Sequence, residues 1–419
     1  MTVAAAPGPV PSRPLATLAG TFAAQWITGF GFVAFTLLAP FLALETGLQA
    51  NDFGLSVTFF FIGTALSSPM AGTMIRQVGS VATLVTALSF MACVFLVCLV
   101  GTWWSVMLAS FLFGLGYGPQ GPVGMTLVTQ QTPTARRGLF LSLRQAAQPF
   151  AAVIAGRVLP PMMALVGWQA GVITASTVLA VGALMVIVAS PIFRVQQWNP
   201  LPTSSQHQGS KRHLTSIVSY FAIPRGLRLL FGAGLILAVS QMAMMIYSFL
   251  FLIEVVKLTP IQAGIFVSNQ QLAGMIGRPV FGLICDYSGR SMQVLGFNSL
   301  ATILTIVGLS YAEPGMPTWQ LFGLAIATGI AGQTWNSVFT TAMSYRVSPQ
   351  RLTEFNGRAF SFLSFGWMAT PLLFWILIRA SGGYELPFFI VLVANAFAVV
   401  ALFMFGGPPD RSLANRATN

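Results

Sequence analysis

Apolar residues run along this chain in blocks of about 20, separated by short polar gaps. A bilayer core of ~30 Å takes about 20 residues at a helical rise of 1.5 Å. Blocks of that length fall at 16–44, 54–75, 81–101, 105–128, 139–164 and 168–193, then at 227–252, 259–284, 292–312, 319–344, 358–379 and 386–406. The pattern predicts an all-α polytopic membrane protein with twelve spans, six on each side of a polar stretch. The expected organisation is a tail at 1–15, a six-helix bundle at 16–193, a linker at 194–225, a second bundle at 226–406 and a tail at 407–419. The linker holds Asn199, Pro200, Ser204, Ser205, Gln206, His207, Gln208, Gly209 and Ser210, which reads as a flexible loop. The first tail, with Pro7, Pro9, Pro11 and Pro14, reads as a short disordered lead without a cleavable signal.

Composition sharpens this reading. Of 419 residues, 55% are hydrophobic and 7% charged, and the mean hydropathy is +0.79. A soluble domain carries about 25% charged residues to face water. The net charge of +12 raises nucleic acid as a partner, but the cations lie in short gaps rather than along a stripe. Their distribution orients the chain instead. With both termini in the cytosol, Arg13, Arg76, Arg136, Arg137, Arg194, Lys211, Arg212, Arg225, Arg228, Arg290, Arg346, Arg351, Arg358, Arg411 and Arg416 face inside. The outer segments keep Arg157, Lys257 and Arg379, with Glu45, Asp52, Glu254, Glu313 and Glu385. Trp103, Trp104, Trp168 and Trp319 fall at the expected outer interface. The location expected is a cell (inner) membrane. Cys93, Cys98, Cys285, His207 and His213 are too few and too scattered for a disulfide or metal framework. No cofactor is expected, and no clustered nucleophile, base or Walker motif supports an enzyme or an ATP-driven pump.

The halves repeat one another. Gly72 to Gly79 joins spans two and three, and Gly282 to Gly289 joins spans eight and nine. Gly114, Gly116, Gly118, Pro119, Gln120, Gly121 and Pro122 in span four match Gly329, Gly332 and Gln333 in span ten; Pro149 in span five matches Pro371 in span eleven. The run Gly282-Leu283-Ile284-Cys285-Asp286-Tyr287-Ser288-Gly289-Arg290 resembles the G-x-L-x-D-x-x-G-R loop motif of the major facilitator superfamily. The first copy, Gly72 to Ser80, keeps the glycines and has Arg76 in place of the acid. Glycine serves the tight turn. The resemblance implies two pseudo-symmetric six-helix bundles around a central cavity. It also places Asp286 near the cytoplasmic start of span five as a gate. In addition, Gly277-Arg278-Pro279-Val280-Phe281-Gly282 is similar to the span-eight R-P-x-x-G pattern of oxalate and monocarboxylate transporters, which implies that Arg278 binds a substrate carboxylate. Span eleven departs from that group, offering only Ser361, Ser364 and Trp367 at the matching depth.

Two cations fall within spans: Arg278, roughly 12 Å from the cytoplasmic helix end, and Arg144, about 10 Å deep. A guanidinium at depth is costly unless it faces a wet cavity or a partner, and its planar fork suits a carboxylate. The structural alternatives are a carbonyl-paired Arg278 and a gate pair between Arg144 and Asp286. Uncharged candidates for the cavity are Gln25, Gln120, Gln241, Tyr247, Gln333 and Asn336, with Thr28, Asn269, Gln270 and Gln271 nearby. Ordinary interhelical hydrogen bonds would explain them equally well. No acid falls mid-span, so exchange, facilitated diffusion, or entry of a proton with the anion fits better than a buried carboxylate relay. The expectation is a carrier for a small organic anion, a functional monomer in the lipid bilayer, working by rocking of two bundles. Alternatives are an exporter of hydrophobic or cationic drugs and a non-transporting sensor or assembly factor.

Overall fold

The computed structural model describes residues 14–132, 140, 143–190, 223–347 and 349–407. Among the described residues, all regular structure is helical. The first half contains α1 (Pro14–Thr46), α2 (Ala50–Gly54), α3 (Ser56–Ser67), α4 (Ala71–Val78), α5 (Ser80–Phe95), α6 (Trp103–Tyr117), α7 (Gln120–Gln131), α8 (Ala147–Val166) and α9 (Trp168–Val188). The second contains α10 (Arg228–Met242), a π turn (Ala243–Tyr247) running into α11 (Ser248–Glu254), α12 (Pro260–Ser288), α13 (Ser291–Ser310), α14 (Thr318–Gln333), α15 (Trp335–Arg346), α16 (Pro349–Ser381) and α17 (Glu385–Phe405).

Local chemistry sets where these helices begin and end. At α6, the Thr102 hydroxyl accepts from the Ser105 N–H, and the Ser105 hydroxyl accepts from the Thr102 N–H. Thr259 and Gln262 make the same reciprocal cap on α12, followed by Pro260 at the first helical position. Gly79 ends α4 at φ 86° and Gly289 ends α12 at φ 61°. Both values lie where a Cβ is strained, so the two glycines kept by the repeated loop motif are the ones the turns require.

Eight helical segments are long and apolar enough to cross a membrane. Four further stretches, 56–78, 103–131, 260–288 and 318–346, lie between them in chain order, consistent with the twelve expected spans. Three of the four are interrupted: by a 3₁₀ turn at Ser68–Met70, at Gly118–Pro119 and at Thr334. The fourth, α12, is unbroken but polar, since it carries Asn269, Gln270, Gln271 and Arg278.

The packing divides the molecule by depth. One apolar core runs through both halves and takes Phe53, Val57 and Leu159 together with Leu250, Val267 and Phe374. A second core, with Leu230, Leu295, Trp335, Phe339 and Leu363, belongs to the second half alone. The halves are therefore fused at one end, the end expected to face outside. Polar contacts follow the same division. Thr58 donates to the Met368 carbonyl at 3.0 Å, and Phe61 stacks on Trp367 with ring centroids 6.1 Å apart. Further out, Asp52 accepts from Arg379 at 2.8 Å and from the Trp375 indole at 2.9 Å, while Trp103 donates to the Asp52 carbonyl at 2.7 Å. Glu254 accepts from the Asn51 N–H at 3.3 Å and from the Tyr384 hydroxyl at 2.5 Å.

The close crossing of α8 on α12 fixes the depth of everything below it. A Cβ on Gly264 would lie 2.4 Å from the Gly156 carbonyl oxygen, and one on Gly156 would lie 2.6 Å from that of Gly264. Only glycine permits this approach. The Ser268 hydroxyl donates to the Val153 carbonyl at 2.8 Å in the same crossing. Arg157 corrects one expectation here. Its charge suggested an outer segment, but it lies within the membrane-length helix Leu143–Val166. Its guanidinium is accommodated there by the Asn269 side-chain oxygen at 2.8 Å on the neighbouring helix.

Candidate functional site

Counted from the crossing of Val153 and Ser268, Arg144 lies nine residues along one helix and Arg278 ten along the antiparallel other. At 1.5 Å per residue these are about 14 and about 15 Å, so the two arginines share a level. That level lies on the side of the crossing away from the fused end. Each arginine is held within its own half.

In the first half, Arg144 Nη2 donates to Gln25 Oε1 at 2.8 Å and to the Gln120 carbonyl at 3.4 Å. Gln25 Nε2 in turn reaches the Tyr117 hydroxyl and Gln148 Oε1, both at 3.2 Å, and Tyr117 donates to Gln148 Oε1 at 3.1 Å. Thr28 donates to Gln120 Oε1 at 3.0 Å. Gly124 makes the room, because a Cβ there would come within 2.3 Å of the guanidinium. Arg144 is 4% exposed and Gln120 1%, yet Arg144 Nε and Gln120 Nε2 have no partner. Leaving such donors buried and unpaired costs about 1–3 kcal/mol each.

In the second half, Arg278 Nε donates to the Gln333 carbonyl at 3.0 Å and Nη2 to Gln333 Oε1 at 3.2 Å. Gln333 closes α14, where the break at Thr334 leaves end carbonyls free. A guanidinium at that negative helix end gains from both the free acceptor and the dipole. Gln241 Nε2 donates to Gln333 Oε1 at 2.7 Å, and Asn336 at 3.4 Å and the Trp367 indole at 3.2 Å donate to Gln241 Oε1. Gly274 lets α12 approach, since its Cβ would lie 2.3 Å from Gln333 Cβ.

The clusters thus mirror each other. Each has a glutamine on the first helix of its half (Gln25, Gln241), and each has a glutamine at the break of the fourth span (Gln120, Gln333). In each, one arginine is parked on that second glutamine's carbonyl. Neither arginine has a carboxylate partner among the described residues. Seven of the eight substrate-site expectations, Arg278, Arg144, Gln120, Gln241, Gln333, Asn336 and Gln25, fall into these two clusters. Tyr247 does not join them: its hydroxyl donates to the Pro371 carbonyl at 2.8 Å and its ring stacks on Phe374, nearer the fused end.

Of the loop-motif residues, Gly79 and Gly289 take the positive φ described above, and Arg290 directly precedes α13. Gly282 has open space around its Cα, and Gly72 sits within α4. The side chains of Arg76 and Asp286 lie outside the described residues, so the expected gate pair with Asp286 does too. Sequence reasoning missed Tyr117, Gln148 and Gly124. Gly124 follows Gly121 and Pro122 in a glycine-rich run, the one signal that pointed to close approach there.

Residues 21–345 and 229–419 match the family model of the Major Facilitator Superfamily. An uncharacterized MFS-type transporter of Mycobacterium tuberculosis is 27% identical over 307 residues, which cover 73% of this chain. The match spans 64% of that relative's length. The niacin transporter NiaP of Acinetobacter baylyi is 31% identical over 137 residues, 28% of this chain and 29% of NiaP. Among solved structures, a POT family transporter in complex with 5-aminolevulinic acid superposes with a TM-score of 0.70 at 13% identity, covering 96% of each chain. The likeness at that identity is one of fold. The chain belongs to the Major Facilitator Superfamily, a family of membrane transporters and not of enzymes.

Proposed function

We propose that this transporter carries a small organic anion with a carboxylate group by alternating access. The observation that carries the reading is the pair of guanidiniums at one level, both held by carbonyl and amide oxygens and, among the described residues, neither by an acid. A carboxylate offers each a charged, bidentate acceptor in place of a shared neutral one, and charge-assisted bonds are roughly twice as strong. A cationic substrate would find no counter-charge there among the described residues, which disfavours a cation exporter. Niacin, the substrate in the name of one relative, is an aromatic carboxylate. In this reading, residues 16–193 and 226–406 are the rocking bundles and 194–225 their linker. Both termini face the cytosol of an inner membrane, and the fused end is the outer one. Arg278 and Arg144 bind the anion, Gln25, Gln120, Gln241, Gln333 and Asn336 release and orient them, and the loops at Gly72–Gly79 and Gly282–Arg290 serve gating.

A thermal-shift screen of the purified monomer against carboxylates, amines and sugars tests this. Carboxylates should stabilise the wild type, and Arg278→Ala should abolish the shift. Arg278→Lys should retain little, because a point charge does not reproduce the fork. Stabilisation that survives both substitutions, or that amines alone produce, would overturn the reading.

A further inference from the structure

Between the two arginine clusters and the fused end lies a small cavity of about 10 Å³, room for one water. Four of its lining residues come from the first half (Val33, Thr36, Leu37 and Ala152) and four from the second (Met245, Phe249, Val267 and Gln271). Both bundles therefore build it. The lining is apolar except at Thr36 and Gln271. Gln271 is 2% exposed, and its Nε2 has no partner. A buried amide N–H left unpaired beside a cavity marks a place where an acceptor is missing.

The backbone at this cavity is also unusual. Met245 sits in the π turn Ala243–Tyr247, a widening of the helix that recurs at functional sites. That turn is held open from the side by Gln270, whose Nε2 donates to the Met244 carbonyl at 2.8 Å. Adjacent glutamines on α12 thus have different tasks: Gln270 fixes the π turn, and Gln271 presents a free donor beside the methionine the turn displays. Methionine, with its unbranched side chain, is the lining group most able to swing aside.

Depth ties the cavity to the arginines. Gln271 precedes Arg278 by seven residues on α12, and Met245 follows Gln241 by four, so the separations along the helices are about 10 Å and about 6 Å. Seven residues are close to two helical turns, so Gln271 and Arg278 project from the same face of α12. A ring-bearing carboxylate is of that length; acetate and oxalate are not.

We propose that this cavity is a second subsite, which takes the apolar ring of the transported anion and reads a hydrogen-bond acceptor on it through Gln271 Nε2. The ring enters as Met245 swings out of the π turn. The subsite rests on the carboxylate reading for its anchor at Arg278, and it defines the substrate class as an aromatic carboxylate with an acceptor atom in or on the ring.

The test is a binding series on purified full-length protein, read by thermal shift and by isothermal titration. The probes are acetate, benzoate, pyridine-3-carboxylate and the neutral pyridine-3-carboxamide. Wild type should bind pyridine-3-carboxylate about tenfold more tightly than benzoate, the worth of one hydrogen bond, and acetate far more weakly. Gln271→Leu should erase the difference between the two ring acids and leave benzoate unchanged. Met245→Trp, which fills the cavity, should reduce both ring acids to the level of acetate. Should Gln271→Leu not fold, Gln271→Met, which removes the donor and keeps the length of the side chain, should likewise erase the preference. If acetate binds as well as the ring acids, or if the Gln271 variants keep the preference for a ring acceptor, the subsite is wrong and the carboxylate site stands. If no acid binds but the neutral carboxamide does, and loses affinity in Gln271→Leu, the subsite stands and the carboxylate reading falls. If no ring compound binds, both fall.

Discussion

Asp52→Asn should open the fused end. Asp52 carries the outer contact between the halves: its carboxylate is 6% exposed and accepts from Arg379 and from the Trp375 indole. The Arg379 side chain is 53% exposed, so water screens that bond to about 0.2–1 kcal/mol. The indole donates to a buried charge, worth about 1.5–3 kcal/mol, of which an amide oxygen keeps the neutral share of about 1. The substitution therefore removes about 1–2 kcal/mol from the closed state, a factor of roughly 5–30 in the population of the open one. A reporter is available at Thr36, which lines the inter-half cavity. With Cys93, Cys98 and Cys285 replaced and Thr36→Cys introduced, an impermeant maleimide added outside intact cells should label the Asp52→Asn protein roughly 5–30 times faster. A rate within twofold of the parent, in a protein that still melts cooperatively, would refute the assignment of Asp52 as the closing contact. A double cycle with Arg379→Gln should return a coupling at the low end, below about 1 kcal/mol, because the arginine is half in water.

Two further outcomes follow from the geometry. A Cβ on Gly124 meets only the movable end of Arg144, whereas one on Gly329 lies 2.0 Å from the Gln270 carbonyl oxygen, which is backbone. Gly124→Ala should therefore lower carboxylate affinity, by isothermal titration, with little change in melting temperature. Gly329→Ala should cost about 1–3 kcal/mol of stability as α12 and α14 are forced apart. The Tyr384 hydroxyl, which donates to Glu254, is pushed well above its ordinary value first by burial and then by that carboxylate. A folded-state pKa raised in this way leaves the contact intact below the unfolded value of ~10, and it is lost as pH rises through the higher folded value. Labelling at Thr36→Cys, divided at each pH by the rate of a freely exposed cysteine because the thiolate is the reactive form, should thus be flat from about pH 6 to about pH 9 in the parent. Tyr384→Phe should raise it throughout that range.

Hydropathy made the helices legible because a span must be apolar over its whole length wherever lipid surrounds it. The rule weakened at 56–78, 103–131, 260–288 and 318–346, which are interrupted or polar. Arg144 and Arg278 were legible for the opposite reason: a charge in an apolar run is costly enough that its presence demands a partner or a cavity. The same argument misplaced Arg157, whose cost is met by Asn269 across the α8–α12 crossing. A partner on another helix depends on register, and register here is set by Gly156 and Gly264. Nothing in either local sequence announces that these two glycines face each other.

That crossing also explains what holds at one level the two arginines whose similar depth, roughly 12 and about 10 Å, is legible in the sequence. Each cluster is local in the repeat: a glutamine on the first helix, a glutamine at a broken fourth span, an arginine beside it. Their common level depends on how far each arginine lies from one contact, nine residues back through the turn at Ala146 that opens α8 and ten on along α12. Were the crossing shifted by a helical turn, about 5 Å, the two guanidiniums could no longer serve one carboxylate-bearing ligand from opposite halves. On the carboxylate reading, the glycine pair is therefore as much a part of substrate recognition as the arginines. Gly264→Ala, which drives a Cβ into the Gly156 carbonyl oxygen, should reduce carboxylate affinity though it touches neither cluster. Isothermal titration on protein that keeps its cooperative melt would show it. Unchanged affinity in such a protein would mean that the arginines act separately, each for its own half.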